Sequence, residues 1–316
     1  MNVPALIPAG DVAEFSPGQR LIAAFLSGRS QNTRDAYARD IDYFAAFAGA
    51  HAPGEAMAQL LALSHGEANG ALLAYRSHMV EQGLTPATIN RRLSAIRAAV
   101  RLARTLGLST WAPEIDGLKV QAYRDTMGPG LDGTRSMVAR ARTQDPVKAA
   151  RDVSLIRLMF DLGLRRGEVA ALDLADIDAG GRRLWIMGKG RTQKESRTLP
   201  EPTLVALNDW LAVRASVVAA DVEAVFVSLS GPEHGQRITG RGLYHVIAAL
   251  GRSVGIKTRP HGLRHASITA ALDANNGDVR AVQQHARHSK PETTMRYDDN
   301  RKDLAGRIAA SLANTL

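Results

Sequence analysis

The stretch HGLRH at 261–265, followed by HSKPETTMRY at 288–297, places imidazoles, guanidiniums and a phenol late in a basic chain. Those are the groups needed to attack a phosphodiester. His261 opens a helix running to about Ala274, which sets His261, Arg264 and His265 within one turn of each other. A shorter helix follows, then another announced by Ser289-Lys290-Pro291-Glu292, a capping-box pattern expected to set Tyr297 about two turns in. The reading works outward from here.

Upstream, Asp145-Pro146 is an N-cap with proline at the first helical position, opening a helix through Leu162 that Gly163 can end. Next comes GLRRGEVAAL, holding Arg165 and Glu168. The segment RRLWIMGKGRTQKESRTLP reads as two strands, Arg183 to Met187 and Ser196 to Leu199, joined by a polar turn with Lys189 between Gly188 and Gly190. Pro202 to Val218 and Gly242 to Gly251 read as helices and Val225 to Val227 as a short strand, so this part is mainly α with one hairpin.

The first part reads as all helical. Gln19 to Leu26, Thr33 to Ala48 and Glu67 to Gln82 show helical periodicity, and from Leu84 to Ala112 there are five arginines and no acid. In that last helix Ile89, Leu93, Ile96 and Val100 form an apolar stripe, while Arg97, Arg101 and Arg104 lie on a different face. Unneutralised Arg91, Arg92, Arg97, Arg101 and Arg104 are expected to meet backbone phosphates, with Asn90 and Ser94 in reach of base edges. Between the parts, glycines at 117, 128, 130 and 133 interrupt any periodicity. The expected organisation is a helical domain over 1–116, a linker over 117–131 and a second domain over 132–316.

Composition sets the outer bounds. The 316 residues favour two domains, and 45% of them are hydrophobic, enough for two cores. Forty Lys and Arg against 31 acids give a net charge of +9, the balance of a protein that meets a polyanion. Residues 1–120 carry 11 basic and 10 acidic residues, so most of the excess lies in the second part. Cysteine is absent, which excludes disulfides, thiolate metal sites and a cysteine nucleophile. No run approaches a membrane span, and the expectation is a cytoplasmic protein.

Taken in chain order, GLRRGE, GKG in a hairpin, HGLRH, an His-Ser before a turn, and a tyrosine nine residues after that histidine resemble the tyrosine recombinase, or phage integrase, family. LTPATINRRLSAIRAAVRLA resembles the family's core-binding domain. The resemblance implies a mainly α, two-domain protein: an N-terminal helical, SAM-like core-binding domain, and a C-terminal mixed α/β catalytic domain of the DNA breaking-rejoining type with a small β-hairpin or sheet. By position it implies that Arg165 and Arg264 hold the scissile phosphate and that Tyr297 is the nucleophile. Lys189 matches the hairpin lysine, His261 the histidine of the H-x-x-R motif, His288 the later His or Trp position, and Glu168 a supporting acid. Arg287 stands where relatives often have glycine, so the backbone there is open to change and the side chain is a candidate for a further phosphate contact.

The implied activity is site-specific recombination of the Xer or simple integrase kind: cleavage and rejoining of duplex DNA through a 3′-phosphotyrosyl intermediate, without ATP, metal or any other cofactor. The implied partners are double-stranded DNA with an inverted-repeat site and three further copies of the chain in a tetramer, with a second recombinase as a variant. The tail helix, with Leu304, Ile308 and Leu312 as its stripe, is expected to dock on a neighbouring subunit. A type IB topoisomerase or a catalytically inert DNA-binding regulator are the alternatives. The chemistry asks for these residue types by itself, because a phosphodiester in transit gathers negative charge that preorganised cations must meet, and two guanidinium forks fit its two non-bridging oxygens. His261 and His265 have a zinc-like spacing, but Gly262 stands where a zinc hydrolase of that spacing carries its base, and His265 reads as a packed structural histidine. Tyr244 is the rival nucleophile.

Overall fold

The computed structural model describes residues 17–29, 31–119, 128–188, 190–218, 221–297 and 304–315. The chain divides into two compact units, Met1–Tyr123 and Arg124–Leu316.

The regular structure described in the first unit is all helical: α1 Pro17–Leu26, α2 Gln31–Phe47, α3 Pro53–Ala62, α4 His65–Glu81 and α5 Pro86–Thr105. Local chemistry starts the last two. Ser64 and Glu67 form a reciprocal capping box at α4, and the Thr85 hydroxyl accepts from the Thr88 N–H with Pro86 in the first turn of α5. Ile89, Leu93, Ile96 and Val100 are fully or almost fully buried with Leu21, Phe25, Ile41, Phe44, Leu72 and Tyr75. Each such side chain contributes about 1.5–3 kcal/mol when taken out of water. Helix α3 has no counterpart in the sequence reading. It crosses α1 so closely that a Cβ on Gly18 would lie 2.0 Å from the Gly54 carbonyl oxygen, a close approach that only glycine allows.

The second unit begins with α6 Gly130–Arg142, α7 Pro146–Asp161 and the short α8 Arg166–Ala170. A 3₁₀ turn leads into a three-stranded antiparallel sheet, β1 Ile177–Asp178, β2 Arg183–Met187 and β3 Lys194–Thr198, in the order β1-β2-β3. The helices α9 Glu201–Arg214, α10 Gly240–Ser253, α11 Pro260–Ala274, α12 Val279–Ala286, α13 Pro291–Met295 and α14 Leu304–Ala313 complete it. The mainly α class with a small sheet is therefore what the chain adopts.

Helix α7 is the centre of this unit, packed on α6, α9 and α11. Its start follows the expected chemistry: the Asp145 carboxylate accepts from the N–H groups of Val147 and Lys148 ahead of Pro146. Strand β2 alternates, with Leu184 and Ile186 buried and Arg183, Trp185 and Met187 exposed. Trp210 is fully buried and donates from Nε1 to the Val225 carbonyl at 2.8 Å. The expected strand over Val225–Val227 is replaced by isolated bridges at Ala224, Val227 and Ser228.

Four further local differences have physical causes. Helix α6 starts at Gly130, inside the stretch expected to be linker, because Met137 and Ala141 pack into the α7 core. The sheet gains β1, whose two residues carry too little periodicity to be read. Strand β3 starts at Lys194, two residues earlier than expected, paired with Met187. Helix α13 starts from Lys290 without a side-chain cap and ends at Met295, so Tyr297 lies just past it instead of two turns in.

Candidate active site

Arg165 is the N-cap residue of α8, and Glu168 stands three residues on. The Glu168 carboxylate accepts from the Arg165 backbone N–H at 2.7 Å through Oε2 and from Arg165 Nη1 at 2.9 Å through Oε1. A buried acid at the start of a helix thus holds both the turn and the guanidinium, which stays about one third exposed.

Arg264 lies in α11, one turn after His261, and is buried. Its Nη1 donates to the Gly163 carbonyl and its Nη2 to the Ala286 carbonyl. Gly163 can present that carbonyl because it takes a φ of 58° at the end of α7. Gly262 is required for a different reason: a Cβ there would lie 2.6 Å from Thr258 Oγ1, and one on Gly128 would lie 2.0 Å from the Gly262 oxygen.

The C-terminus of α12 faces the same arginines. Carbonyls at a helix end run short of backbone donors, and guanidiniums add to them here: Arg197 donates to Gln284 O (which also accepts from the Arg287 N–H), Arg264 to Ala286 O and Arg165 to Arg287 O. The helix dipole adds to this attraction. Arg264 is pushed down to about 10 by loss of hydration and then by Arg165, with Glu168 opposing, so it remains a cation at neutral pH.

Tyr297 is 8% exposed and sits among histidines. Ring centroids lie 4.9 Å away for His265, 5.5 Å for His288 and 6.5 Å for His261, with the His288 ring tilted only 23° from the tyrosine plane. His288 Nδ1 pairs with Thr294 Oγ1 at 2.9 Å, and Thr269 Oγ1 donates to the Tyr297 carbonyl. Ile268, Leu272, Val282 and Ala286 form the small apolar core beneath.

Loss of hydration, reinforced by the nearby arginines, keeps His288 and His261 neutral. His288 is pushed down to about 4 by loss of hydration first and by Arg264, Arg165 and Arg287 next. His261 and His285 are lowered for the same kinds of reason. Neutral rings can accept a proton. Stability follows with a definite sign. The unfolded chain protonates near 6.5 while folded His288 resists until about 4, so stability is full above about pH 6.5 and is lost as pH falls toward 4, by about 1.4 kcal/mol per unit for this group. His288→Asn is expected to lose less of its urea midpoint than the wild type between pH 7 and pH 5. Equal losses would mean that His288 is charged in the fold.

A cleft of about 550 Å³ opens on this cluster, lined by Arg165, Arg166, Gly167, Tyr244, Arg259, Pro260, His261 and Arg264. It carries four guanidiniums and no carboxylate among its lining residues, which suits an anion. Sequence reasoning did not single out Arg166 and Arg259 for it, although both flank residues it named. Tyr244 lines the cleft, while Tyr297 belongs to the histidine cluster behind it. Arg287 keeps the left-handed backbone of a glycine cap and sends its side chain inward to Glu168. Lys189 lies outside the described residues.

In the first unit the expected DNA contacts divide. Asn90 Oδ1 accepts from Leu118 N at 2.7 Å and its amide nitrogen donates to Leu118 O at 2.8 Å. Arg97 Nη1 donates to Ile115 O at 2.9 Å, so both side chains hold the segment leaving the unit. Arg91 pairs with buried Asp40 at 2.5 Å, Arg92 lies over the Tyr43 ring at 3.7 Å, and Ser94 bonds back to Asn90 O. Arg101 and Arg104 stand exposed.

Comparison with known proteins adds an independent line. The model of the phage integrase family matches residues 134–303, and that of the phage integrase N-terminal SAM-like domain matches residues 24–105. A tyrosine recombinase of Synechococcus elongatus is 39% identical over 293 residues, covering 91% of each chain. The XerC tyrosine recombinase of Mycobacterium tuberculosis is 31% identical over 284 residues, covering 87% of this chain and 90% of its own. Among solved structures, the Tn1549 transposon integrase in complex with transposon right end DNA superposes with a TM-score of 0.68 at 17% identity, covering 93% of this chain and 98% of that one.

Proposed function

From the premise that this chain belongs to the phage integrase family and is a tyrosine-type site-specific recombinase, we propose that Tyr297, Arg165, Arg264, His261, His288 and Lys189 are its catalytic residues, with Glu168 in support. The observation that carries this reading is the convergence of Arg165 and Arg264 beside the Tyr297 histidine cluster, at a cleft whose lining has no acid.

In this reading the two guanidiniums grip the non-bridging oxygens of one phosphodiester in duplex DNA. The Tyr297 hydroxyl loses its proton to a neutral imidazole and its oxygen bonds to phosphorus. The bond from phosphorus to the 5′-oxygen breaks, and Lys189 protonates that oxygen, which would otherwise depart as an alkoxide. The product is a 3′-phosphotyrosyl bond. Because the bond energy is kept, a 5′-hydroxyl from another strand reverses the step without ATP. The partner is double-stranded DNA with an inverted-repeat site, bound by four copies of the chain in the cytoplasm. Exposed Arg101 and Arg104 on α5 are suited to backbone phosphates.

A duplex nicked close to the cleavage point tests the chemistry, since the short 5′-ended fragment leaves and traps the protein on DNA. Wild type forms a covalent adduct; a DNA-binding regulator with an inert cluster would trap none. The tail supports a further expectation. Helix α14 is amphipathic and its Leu312 is 62% exposed, so deleting residues 303–316 is expected to spare single-site binding in a mobility shift and to impair recombination of a two-site plasmid. Unaltered recombination would refute subunit exchange through this helix.

A further inference from the structure

Helix α12 ends on Arg287 with φ 55° and ψ 46°. Left-handed backbone crowds a β-carbon, and glycine or asparagine usually takes such a cap. An arginine there calls for a compensating role of its side chain. That side chain is 3% exposed and reaches two other elements. Its Nη2 pairs with Glu168 Oε2 on α8, and its Nε lies 3.4 Å from Glu195 Oε1 on β3. Its own carbonyl accepts from Arg165 Nη2 at 3.3 Å.

The carboxylate of Glu168 is the pivot. It is 4% exposed in its side chain and divides its charge between Arg165 and Arg287. A buried carboxylate needs compensating cations. With Arg287 absent, the remaining guanidinium partner would be Arg165, the group that in the proposed mechanism must face the phosphate. Glu168 would then hold Arg165 more strongly and cancel more of its field. Arg287 also precedes His288, whose ring lies beside Tyr297, and its Nε pairs with Glu195 on the strand leaving the hairpin turn.

We infer that Arg287 is a positioning residue of the recombination reaction: by sharing the charge of Glu168 it keeps Arg165 available to the phosphodiester, and by bridging α8, α12 and β3 it holds His288 in register. This rests on the active-site reading above. A glycine at this position relieves the left-handed backbone while removing the whole side chain, guanidinium included, so any loss in that variant belongs to the side chain and not to the backbone.

The test is single-turnover trapping of the nicked duplex at saturating protein, with a mobility shift on intact DNA as the control for fold. Arg287→Gly is expected to slow trapping by at least about ten-fold with DNA affinity little changed, and Arg287→Lys, which keeps the cation on the same backbone, to fall between it and wild type. Combining Arg287→Gly with Glu168→Gln is expected to lose much less than the product of the two single losses, because the charge that needed sharing is gone. Trapping by Arg287→Gly at the wild-type rate, a lysine variant no better than glycine, or losses that multiply would each overturn the inference. Should Arg287→Gly fail to bind DNA, the lysine variant and the double variant still decide it. An adduct that persists in Tyr297→Phe would instead overturn the active-site reading itself.

Discussion

Tyr297→Phe is expected to abolish the covalent protein–DNA adduct while leaving the mobility shift of intact DNA in place. The substitution removes one oxygen and keeps the ring, whose packing against His265 and His288 and whose place in the small core with Ile268 and Leu272 need no hydroxyl. Fold and DNA affinity should therefore persist. Loss of a covalent nucleophile lowers turnover by about 10⁶-fold in well-studied hydrolases, which puts residual adduct below detection. The companion variant is Tyr244→Phe, because Tyr244 is 38% exposed and lines the arginine cleft directly. It should still form the adduct. Trapping lost in Tyr244→Phe and kept in Tyr297→Phe would exchange the two assignments.

Arg264→Lys is the second large effect. Lysine keeps a positive charge but has no planar fork, and Arg264 uses its fork within the protein as well as toward the proposed phosphate. Its Nη1 and Nη2 satisfy carbonyls at the end of α7 and the end of α12. An ammonium cannot serve both, so a buried carbonyl is left without a donor, at about 1–3 kcal/mol. The transition state loses a preorganised donor pair, worth about 10²–10³-fold in rate for a single such donor. The lysine variant is therefore expected to trap the nicked duplex at least about 10²-fold more slowly and to melt at a lower temperature. A lysine variant with the wild-type trapping rate would remove Arg264 from the phosphate site.

Much of the fold is legible in the sequence where the signal is local. Thr85-Pro86 and Asp145-Pro146 start α5 and α7 because a cap and a proline act within one turn. The alternation of Arg183–Met187 fixes β2 because one face of the sheet is buried. Helices α3 and α6 escape the same reading. Helix α3 has no sequence reading and the start of α6 lies in the stretch expected to be linker, and what makes them helical is packing of Met57 and Leu60, and of Met137 and Ala141, into their cores.

The site divides along the same line. Arg165 with Glu168, and His261 with Arg264, are each three residues apart on one chain segment, so their pairing follows from helical spacing alone. Asn90 and Arg97 look from the sequence like free polar groups on a basic helix. In the structure they hold backbone at Leu118 and Ile115, which becomes apparent only once the segment after α5 folds back on it.

The order of motifs along the chain determined by itself the class of protein, its two helical parts and the set of cations, imidazoles and phenol from which a phosphodiester site can be assembled. Tertiary structure alone decided where those groups point: that Arg287 turns inward to Glu168, 119 residues away in the chain, that the end of α12 gathers three guanidiniums, and that Tyr297 packs beyond α13 among three histidines. Caps and periodicity act over one or two turns of chain, whereas a buried charge is placed by whichever distant partner can compensate it, and that partner is not defined until the elements have packed.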